Sequence, residues 1–355
     1  MCAYQVRLAE SGDRGPILDF LREEWKADHI FLKSNELLDW QHLDSQRGAL
    51  NFVVAVEDNS RRLLGILGFI PVARFDRKLS DAKDYWGALW KGRSAGGVPG
   101  VGLELLDYFE RTLQPRSLGM IGVTPHAEKI YRALGFRTGM LDRFYVINPD
   151  MRTFKLVAGH AQEKGLDTVK EGTGSIGVAD LRDCDGRLEA FVAAGNQGGL
   201  PQKSAEYLRN RYERHPIYRY NLFGIEQAGR ECGVLVCRVA EHEGARALRI
   251  VDLKIRNDCR RLMGTVFKQL VSNFEAEYAD FYYAGVSKTW AEGAGVKILD
   301  VNAQLILPSY FEPFTAKNVD LRYAVKAPQG QVYEIFRGDA DQDRPNLVIA
   351  NTTQC

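Results

Sequence analysis

The sequence predicts an α/β protein built from two similar domains in tandem. Three observations lead to this prediction. The chain has 355 residues, which is more than one hydrophobic core usually serves. Short apolar segments typical of strands alternate with segments whose apolar residues recur at helical spacing. The order of these elements in the first half then repeats in the second half. We place the domains at 1–157 and 158–355, with the polar segment 158–171 as the linker.

The composition is that of an ordinary globular protein and argues against several function classes. Hydrophobic residues make up 45% and charged residues 26% of the chain, and the net charge is +1. This charge gives no support for binding nucleic acid or a membrane surface. Six scattered cysteines suit neither a disulfide scaffold nor a zinc site. With no apolar leader or membrane-spanning run at the sequence level, we expect a cytoplasmic protein. The oligomeric state stays open.

The first half reads as strand, two helices, three strands, helix, strand, helix and strand. Its predicted strands are 4–8, 51–56, 63–72, 84–91, 118–123 and 144–147, and its predicted helices are 17–25, 34–40, 100–113 and 124–134. The last strand, 144–147, is expected to close the first domain.

The second half follows a similar order. Its predicted helices are 187–192, 204–212 and 259–278, and its predicted strands are 218–226, 232–240, 247–255 and 279–286. The turn before the long helix, 256–264, lacks the pair of glycines found at the matching place in the first half. We therefore expect one anion-binding turn, in the first half.

That turn comprises residues 98–102, between the strand at 84–91 and a helix. Gly100 and Gly102 remove the Cβ atoms that would keep a phosphate away from the backbone. A strand, a glycine loop and a helix together direct free N–H groups at an anion. The same pattern also occurs in ordinary tight turns, so this segment alone does not decide the function.

A second pattern lies downstream, where Ala127, Tyr131, Gly135 and Phe136 follow the form Ala-x-x-x-Tyr-x-x-x-Gly-Phe. Together with the glycine turn it resembles the GCN5-related N-acetyltransferase superfamily. The resemblance covers about 145 residues of the first half, and the second half resembles a degenerate copy, as in tandem members. It implies a mixed, mostly antiparallel, twisted sheet flanked by helices in each domain. Gly97 stands where the superfamily usually has Gln or Arg.

The resemblance also implies a cofactor and roles for particular residues. Acetyl-CoA would be the co-substrate, and its pyrophosphate would bind the backbone N–H groups of the turn. A backbone N–H near Leu89–Lys91 would polarise the thioester carbonyl, and Tyr131 would protonate the leaving thiolate. The residues expected to bind acetyl-CoA are Leu89, Trp90, Lys91, Val98, Gly100, Val101, Gly102, Thr124, Ala127 and Tyr131.

The proton acceptor and the acceptor substrate are less constrained by the sequence. His29 and His215 are candidates for the general base, although a packed histidine is the more common explanation. For the acceptor site, aromatic rings could stack on a base or sugar, and arginines could bind a diphosphate. The candidates for binding the acceptor are His29, Trp40, Trp86, Arg211, His215 and Arg344.

The segment 338–346 resembles the ending of tandem acetyltransferases from bacterial surface-polysaccharide clusters. This implies a nucleotide-linked amino sugar as the acceptor. Alternatives are another small amine, such as an amino acid or an aminoglycoside, and a non-catalytic acyl-CoA-binding module. The carboxylates at 339, 341 and 343 are spaced like calcium ligands, but the rest of that loop pattern is absent, so we expect no metal.

Overall fold

The structure is a computed structural model that describes residues 3–58, 60–159, 175–182, 186–195, 198–285 and 288–347. Of the segment predicted to link the domains, only residues 158 and 159 are described. The rest of that prediction lies outside the described residues.

The strands of the described chain form two large sheets and several short ladders. They are β1 Tyr4–Leu8, β2 Leu43–Asp44, β3 Ala49–Leu50, β4 Phe52–Glu57, β5 Leu63–Pro71, β6 Asp84–Gly92, β7 Ser117–Ile121, β8 Arg137–Met140, β9 Asp142–Ile147, β10 Ile176–Asp180, β11 Gly199–Leu200, β12 Asn221–Gln227, β13 Arg230–His242, β14 Ala245–Ile255, β15 Tyr278–Ala284, β16 Lys297–Leu299, β17 Tyr310–Phe311, β18 Phe314–Thr315, β19 Arg322–Lys326, β20 Val332–Tyr333 and β21 Ile335–Phe336.

Helices flank both large sheets. They are α1 Arg14–Glu24, α2 Ile30–Lys33, α3 Asn35–His42, α4 Val101–Leu113, α5 Pro125–Ala133, α6 Arg187–Ala194, α7 Ala205–Leu208, α8 Met263–Asn273 and α9 Thr289–Ala294. Within the part of the chain that the structure describes, none is long and apolar enough to cross a bilayer.

The first large sheet has the strand order β1-β4-β5-β6-β7-β19-β8. Neighbouring strands are antiparallel except for β6 and β7, which run parallel. The buried strands β4 and β5 form its centre, and helices cover both faces. α4 packs on the sheet through the apolar residues Val101, Leu105, Leu106 and Phe109.

The second large sheet repeats this plan as β10-β12-β13-β14-β15-β9-β16, with β21 also pairing with β15. Here β14 and β15 are the parallel neighbours. The two sheets exchange a strand. β9, from the first half of the chain, lies between β15 and β16, and β19, from the second half, lies between β7 and β8.

The fold class predicted from the sequence is confirmed, because both sheets are mixed and flanked by helices. The prediction that 144–147 closes the first domain is wrong, because β9 pairs with the second sheet. The boundary at 157 and 158 stays a prediction, although sheet membership does not follow it.

Two predicted helices are shorter in the structure. The segment 259–278 begins as a 3-10 helix, Asn257–Leu262, and α8 ends at Asn273. Glu275 then adopts a positive φ of 50°, which turns the chain into β15. The segment 204–212 is α-helical only in α7 and continues as a wider π turn, Arg209–Glu213.

A hydrophobic core joins the two halves. One cluster of buried side chains includes Trp86 from β6 and Tyr333 from β20, whose ring centroids lie 5.5 Å apart. Polar contacts reinforce this junction. Ser204 Oγ donates to Asp76 Oδ2 over 2.6 Å, and Trp40 Nε1 donates to the carbonyl of Asn210 over 3.0 Å. The halves therefore pack as one body.

Candidate active site

A cavity of about 460 Å³ opens where β6 and β7 separate. The parallel pairing of these strands extends from Asp84 opposite Ser117 to Gly87 opposite Met120. Beyond that point β6 continues to Gly92 alongside β5, whereas β7 ends at Ile121. The cavity occupies the resulting gap. Its lining on this side comes from Trp25, 87–90, 120–124, Ala127 and Tyr131.

The ladder between β6 and β5 is irregular at the level of this gap. Leu67 pairs with Trp90 and Phe69 pairs with Gly87, so Ala88 and Leu89 both lie opposite the single residue Gly68. This is a β-bulge, which removes a residue from the regular hydrogen-bonded ladder. Ala88 and Leu89 both line the cavity. The bulge therefore lies where the sequence predicts a backbone donor.

The predicted glycine turn leads into α4. Gly100 is the N-cap residue, with a φ of 87°, and no side chain caps the helix. A positive φ of this size strongly favours glycine. A Cβ built on Gly100 would meet nothing within 4 Å, so the space above the turn is open. Of the turn's N–H groups, that of Val101 donates to the carbonyl of Val98 over 3.3 Å.

Trp90 connects the turn to the cavity. Its indole Nε1 donates to the carbonyl of Gly102 over 2.9 Å, and its ring lies 5.1 Å from the ring of Tyr131. Trp90 also lines the cavity. One side chain thus supports both the first turn of α4 and the wall that carries Tyr131.

Tyr131 projects from α5, which begins as predicted. Thr124 is the N-cap, its Oγ1 accepts from the N–H of Ala127, and Pro125 occupies the first helical position. Tyr131 is 3% exposed and packs on Phe136 with 5.0 Å between ring centroids. Burial raises the pKa of the Tyr131 phenol above its usual value of 10.0. No hydrogen-bond partner of its hydroxyl is found among the described residues.

The opposite wall of the cavity comes from the second half of the chain. Its lining residues are Tyr218, Arg238, Arg249, Ser309, Tyr310, Phe311, Glu312, Arg337, Asp341, Gln342, Asp343, Arg344 and Asn346. This wall contains four arginines and three carboxylates, so its formal charge is positive. The two walls differ in character, since the first is largely apolar.

Most of these charges are paired. Arg238 binds Asp343 through two contacts of 2.8 Å, and Arg344 binds Asp341 at 2.8 Å. The arginines lower the pKa of Asp343, against the opposing effect of its burial. Glu312 Oε2 accepts from the N–H of Asn346 over 3.1 Å.

Arg344 is the one predicted acceptor-binding residue that the structure places in this cavity. Of the predicted acetyl-CoA residues, Leu89, Trp90, Thr124, Ala127 and Tyr131 line it. Val98, Gly100, Val101 and Gly102 form the turn at the start of α4. Lys91 pairs with Ile66 in the sheet, and its Nζ donates to the carbonyl of Glu24.

His29 is placed outside the cavity lining. It is 3% exposed, and its Nδ1 accepts from the N–H of Phe31 over 3.3 Å as the cap of α2. Burial, helped by the charge of Arg344, lowers the pKa of His29 to about 3. An imidazole with so low a pKa is a weak base near neutral pH.

His215 has a similar structural role. Its Nδ1 accepts from the N–H groups of Ile217 and Tyr218 over 3.1 and 2.9 Å. Burial, with a further contribution from the charge of Arg211, lowers the pKa of His215 to about 3. Its ring packs against Trp40 with 4.4 Å between centroids. The His215 ring therefore stabilises the loop that contains Ile217 and Tyr218, and it does not line the cavity.

The other predicted acceptor-binding residues are also used in packing. Trp86 is 1% exposed and belongs to the core between the halves. Trp40 lines a separate groove. Arg211 donates to the carbonyls of Gly338 and Ala340 over 2.8 and 2.6 Å, which anchors the C-terminal segment.

The three spaced aspartates of that segment do not converge on a cation. Asp339 is fully buried beside Lys203 at 2.9 Å, whereas Asp341 and Asp343 bind arginines. Among the described residues, no group of acidic, histidine or cysteine side chains is arranged to hold a metal ion.

In the second half, the long helix α8, which follows β14 as α4 follows β6, does not begin with an open turn. At Gly264, in the first turn of α8, an added Cβ would lie 1.8 Å from the carbonyl oxygen of Ala294 in α9. The backbone of α9 therefore covers this helix start. This agrees with the expectation of one anion-binding turn, which stays a prediction.

Sequence reasoning missed Arg238, Arg249, Arg337 and Glu312. The first two lie on strands of the second sheet, where an arginine usually marks a solvent-exposed face. Their sequence signal is a charged residue within a largely apolar strand: Arg238 is the one charge in 232–240, and Arg249 lies among the apolar residues of 247–251. Buried charges are rare unless they are paired or functional, so this signal could have identified them.

The fold is similar to that of solved GCN5-related N-acetyltransferases. The one from Anabaena variabilis superimposes with a TM-score of 0.55 at 9% identity, over 91% of this chain and 72% of that one. The one from Kribbella flavida gives 0.52 at 12% identity, over 92% and 71%. A probable N-acyltransferase from Enterococcus faecalis gives 0.50 at 12% identity, over 92% and 73%. No family model and no curated protein matches the sequence.

Proposed function

We propose that this protein transfers the acetyl group of acetyl-CoA to an amine, and that the amine belongs to a nucleotide-linked amino sugar. The observation that carries the proposal is the gap between β6 and β7. This gap brings together a β-bulge, Tyr131 and, through Trp90, the open glycine turn of α4. The fold that this protein shares with solved acetyltransferases also supports acetyl transfer as its reaction class.

Acetyl-CoA would bind with its pyrophosphate at the start of α4. The first N–H groups of a helix lack intrahelical partners, and the helix dipole favours an anion there by about 0.3–1 kcal/mol. Gly100 leaves the space above the turn open. The main benefit is positional, because a fixed thioester converts a bimolecular attack into an effectively unimolecular one.

The chemical step is a direct attack on the thioester. The neutral amine nitrogen forms a bond with the carbonyl carbon, and a backbone N–H of the bulge at Ala88 and Leu89 stabilises the developing oxyanion. The C–S bond then breaks, and the thiolate takes a proton from the Tyr131 hydroxyl. A phenol is protonated at neutral pH even with an unshifted pKa, so Tyr131 carries the proton that this step needs.

The amine must lose one proton, which returns to Tyr131 through solvent. His29 and His215 do not face the cavity, so we assign the proton acceptor to a carboxylate of the second wall. Glu312 and Asp341 both line the cavity. Asp341 forms an ion pair with Arg344, whereas Glu312 Oε2 accepts from neutral N–H groups such as that of Asn346, so Glu312 is the stronger candidate.

The charge of the cavity supports an anionic acceptor. Four arginines and three carboxylates line the second wall, an arrangement that disfavours a polycationic aminoglycoside. It favours a diphosphate, which nucleotide-linked sugars carry. Tyr218 and Tyr310 provide rings on the same wall that a sugar or base could contact.

A kinetic comparison of the wild type with Tyr131→Phe tests the proposal. The assay measures CoA thiol released from acetyl-CoA with UDP- and dTDP-linked amino sugars as acceptors. Loss of the general acid should lower kcat by about 10²–10⁴-fold. The Kd for acetyl-CoA should stay within about twofold, because the ring and its packing remain.

Tyr85→Phe is the matched control, since Tyr85 also packs in the first half but does not line the cavity. This variant should keep wild-type kcat. A wild type that binds acetyl-CoA but acetylates no amine in a broad panel would reduce the protein to an acyl-CoA-binding module. An unchanged kcat in Tyr131→Phe would remove the assigned role of Tyr131.

A further inference from the structure

The guanidinium of Arg337 is buried in the second wall of the cavity with incomplete hydrogen bonding. The side chain is 4% exposed. Its Nη2 donates to the carbonyl of Ser309 over 2.9 Å, but Nε and Nη1 have no hydrogen-bond partner among the described residues. The rings of Tyr282 and Tyr310 lie 5.4 and 5.5 Å from its central carbon.

The nearby carboxylates are already used by other arginines. Asp343 binds Arg238 through both oxygens and accepts from Tyr220, so Arg337 Nε lies 3.6 Å from it, beyond a hydrogen bond. Asp280 is shared by Arg143 and Arg249 at 2.7 and 3.1 Å. Two arginines therefore face each carboxylate: Arg143 and Arg249 face Asp280, and Arg238 and Arg337 face Asp343. Positive charge is thus in excess beside the cavity.

A buried cation with unmet donors is destabilising unless something else satisfies it. Buried polar groups in native proteins nearly always have partners, so each exception needs an explanation. Arg337 lines the cavity in which the acceptor amine is proposed to bind. An anionic group on that acceptor would supply the missing partner.

We propose that Arg337 is a specificity-determining residue that binds an anionic group of the acceptor, a phosphate or a carboxylate. This inference rests on the proposed function, since it assigns the anion to the amine substrate. The planar guanidinium of Arg337 can donate two parallel hydrogen bonds to a carboxylate or phosphate, which the ammonium of a lysine cannot do. The flanking tyrosine rings keep the guanidinium in place.

The test is calorimetric binding of three probes to the full-length chain: inorganic pyrophosphate, UDP and succinate. Each titration is made with saturating CoA, so that the turn of α4 is not available to the probe. Arg337→Met should raise the Kd of the preferred probe at least tenfold. Arg337→Lys keeps the positive charge but has fewer N–H donors, so it should give an intermediate Kd. If Arg337→Met does not fold, the Kd of Arg337→Lys is compared with that of the wild type instead.

The control is Arg246→Gln, because Arg246 forms exposed ion pairs on the second sheet and lines no part of the cavity. It should bind the probes as the wild type does. The melting temperature of Arg337→Met without ligand should equal or exceed that of the wild type, since the variant removes unmet buried donors. A purely structural arginine would lower it.

The probes also identify the source of the anion. Tight binding of pyrophosphate or UDP indicates a phosphate, and tight binding of succinate alone indicates a carboxylate. Binding that Arg337→Met leaves unchanged, or wild-type protein that binds none of the three, overturns the inference. If the wild-type protein does not bind CoA, the proposed function fails. The anion site would still be supported if the probe binds Gly102→Val with wild-type affinity and Arg337→Met only weakly.

Discussion

At the scale of single residues, burial decides which side chains can exchange protons. Burial lowers the pKa of His29, His42 and His215 to about 3, so these imidazoles are neutral at physiological pH. Burial raises the pKa of Tyr131, which therefore stays protonated. In the proposed reaction, a phenol therefore donates the proton and a carboxylate accepts it.

The buried histidines predict a loss of stability in acid. A histidine whose pKa falls on folding adds stability above its unfolded pKa of 6.5, and that contribution is lost as the pH falls toward 3. For a single histidine of this kind, the free energy of unfolding should drop by about 2 kcal/mol between pH 7 and pH 5. Urea unfolding at the two pH values measures this drop.

His215→Asn isolates one of these contributions. The asparagine oxygen can accept the N–H groups of Ile217 and Tyr218 in place of Nδ1, but it does not titrate. This variant should lose less stability than the wild type between pH 7 and pH 5. His126→Gln, at an exposed position, should behave as the wild type. An unchanged pH dependence in His215→Asn would contradict the account.

At the scale of secondary-structure elements, the unexpected feature is the exchange of β9 and β19. Phe144 and Val146 of β9 belong to the core of the second sheet, and Ala324 of β19 belongs to a core of the first. Alternation of apolar residues predicts a strand but does not specify its partner. The exchange could therefore not be predicted from residues 142–147 alone.

The exchange predicts that the two halves do not fold separately. A fragment of residues 1–157 would lack β19 between β7 and β8, and a fragment of residues 158–355 would lack β9 beside β15. Each buried apolar side chain left exposed costs about 1.5–3 kcal/mol. Neither fragment should show cooperative thermal unfolding by circular dichroism.

Co-expression of the two fragments is the matched control, because together they supply all the strands. The fragments should then copurify as a 1:1 complex that unfolds cooperatively. A fragment of residues 1–157 that unfolds cooperatively on its own would show that the exchanged strand is dispensable.

The candidate site could be predicted where its residues follow one another along the chain. The turn of Gly100 and Gly102 and the α5 segment with Tyr131 each form local patterns with a clear physical basis. The second wall could not be predicted, because Arg238, Arg249 and Arg337 come together only through the packing of the halves. For the same reason the sequence left His29 and His215 as candidates for the general base, beside the more common explanation of a packed histidine, because their burial depends on tertiary contacts.

At the scale of the whole molecule, residues of both halves line the cavity of the candidate site. The first half supplies the glycine turn, the bulge and Tyr131, and the second half supplies the charged wall. The junction is held by a shared core and by contacts such as that of Arg211 with the C-terminal segment. The first turn of α4 is open, whereas the backbone of α9 covers the start of α8.

The most direct test of this account is calorimetric titration of the full-length protein with acetyl-CoA. We predict one bound equivalent per chain, because α4 has an open first turn and α8 is covered by α9. Gly102→Val should lose this binding, because the added side chain would crowd the first turn of α4, where the pyrophosphate is proposed to bind. A Cβ at Gly102 would contact the Trp90 indole at 3.4 Å, so circular dichroism first establishes that the variant is folded. No binding, two equivalents per chain, or full binding by a folded Gly102→Val would contradict the account.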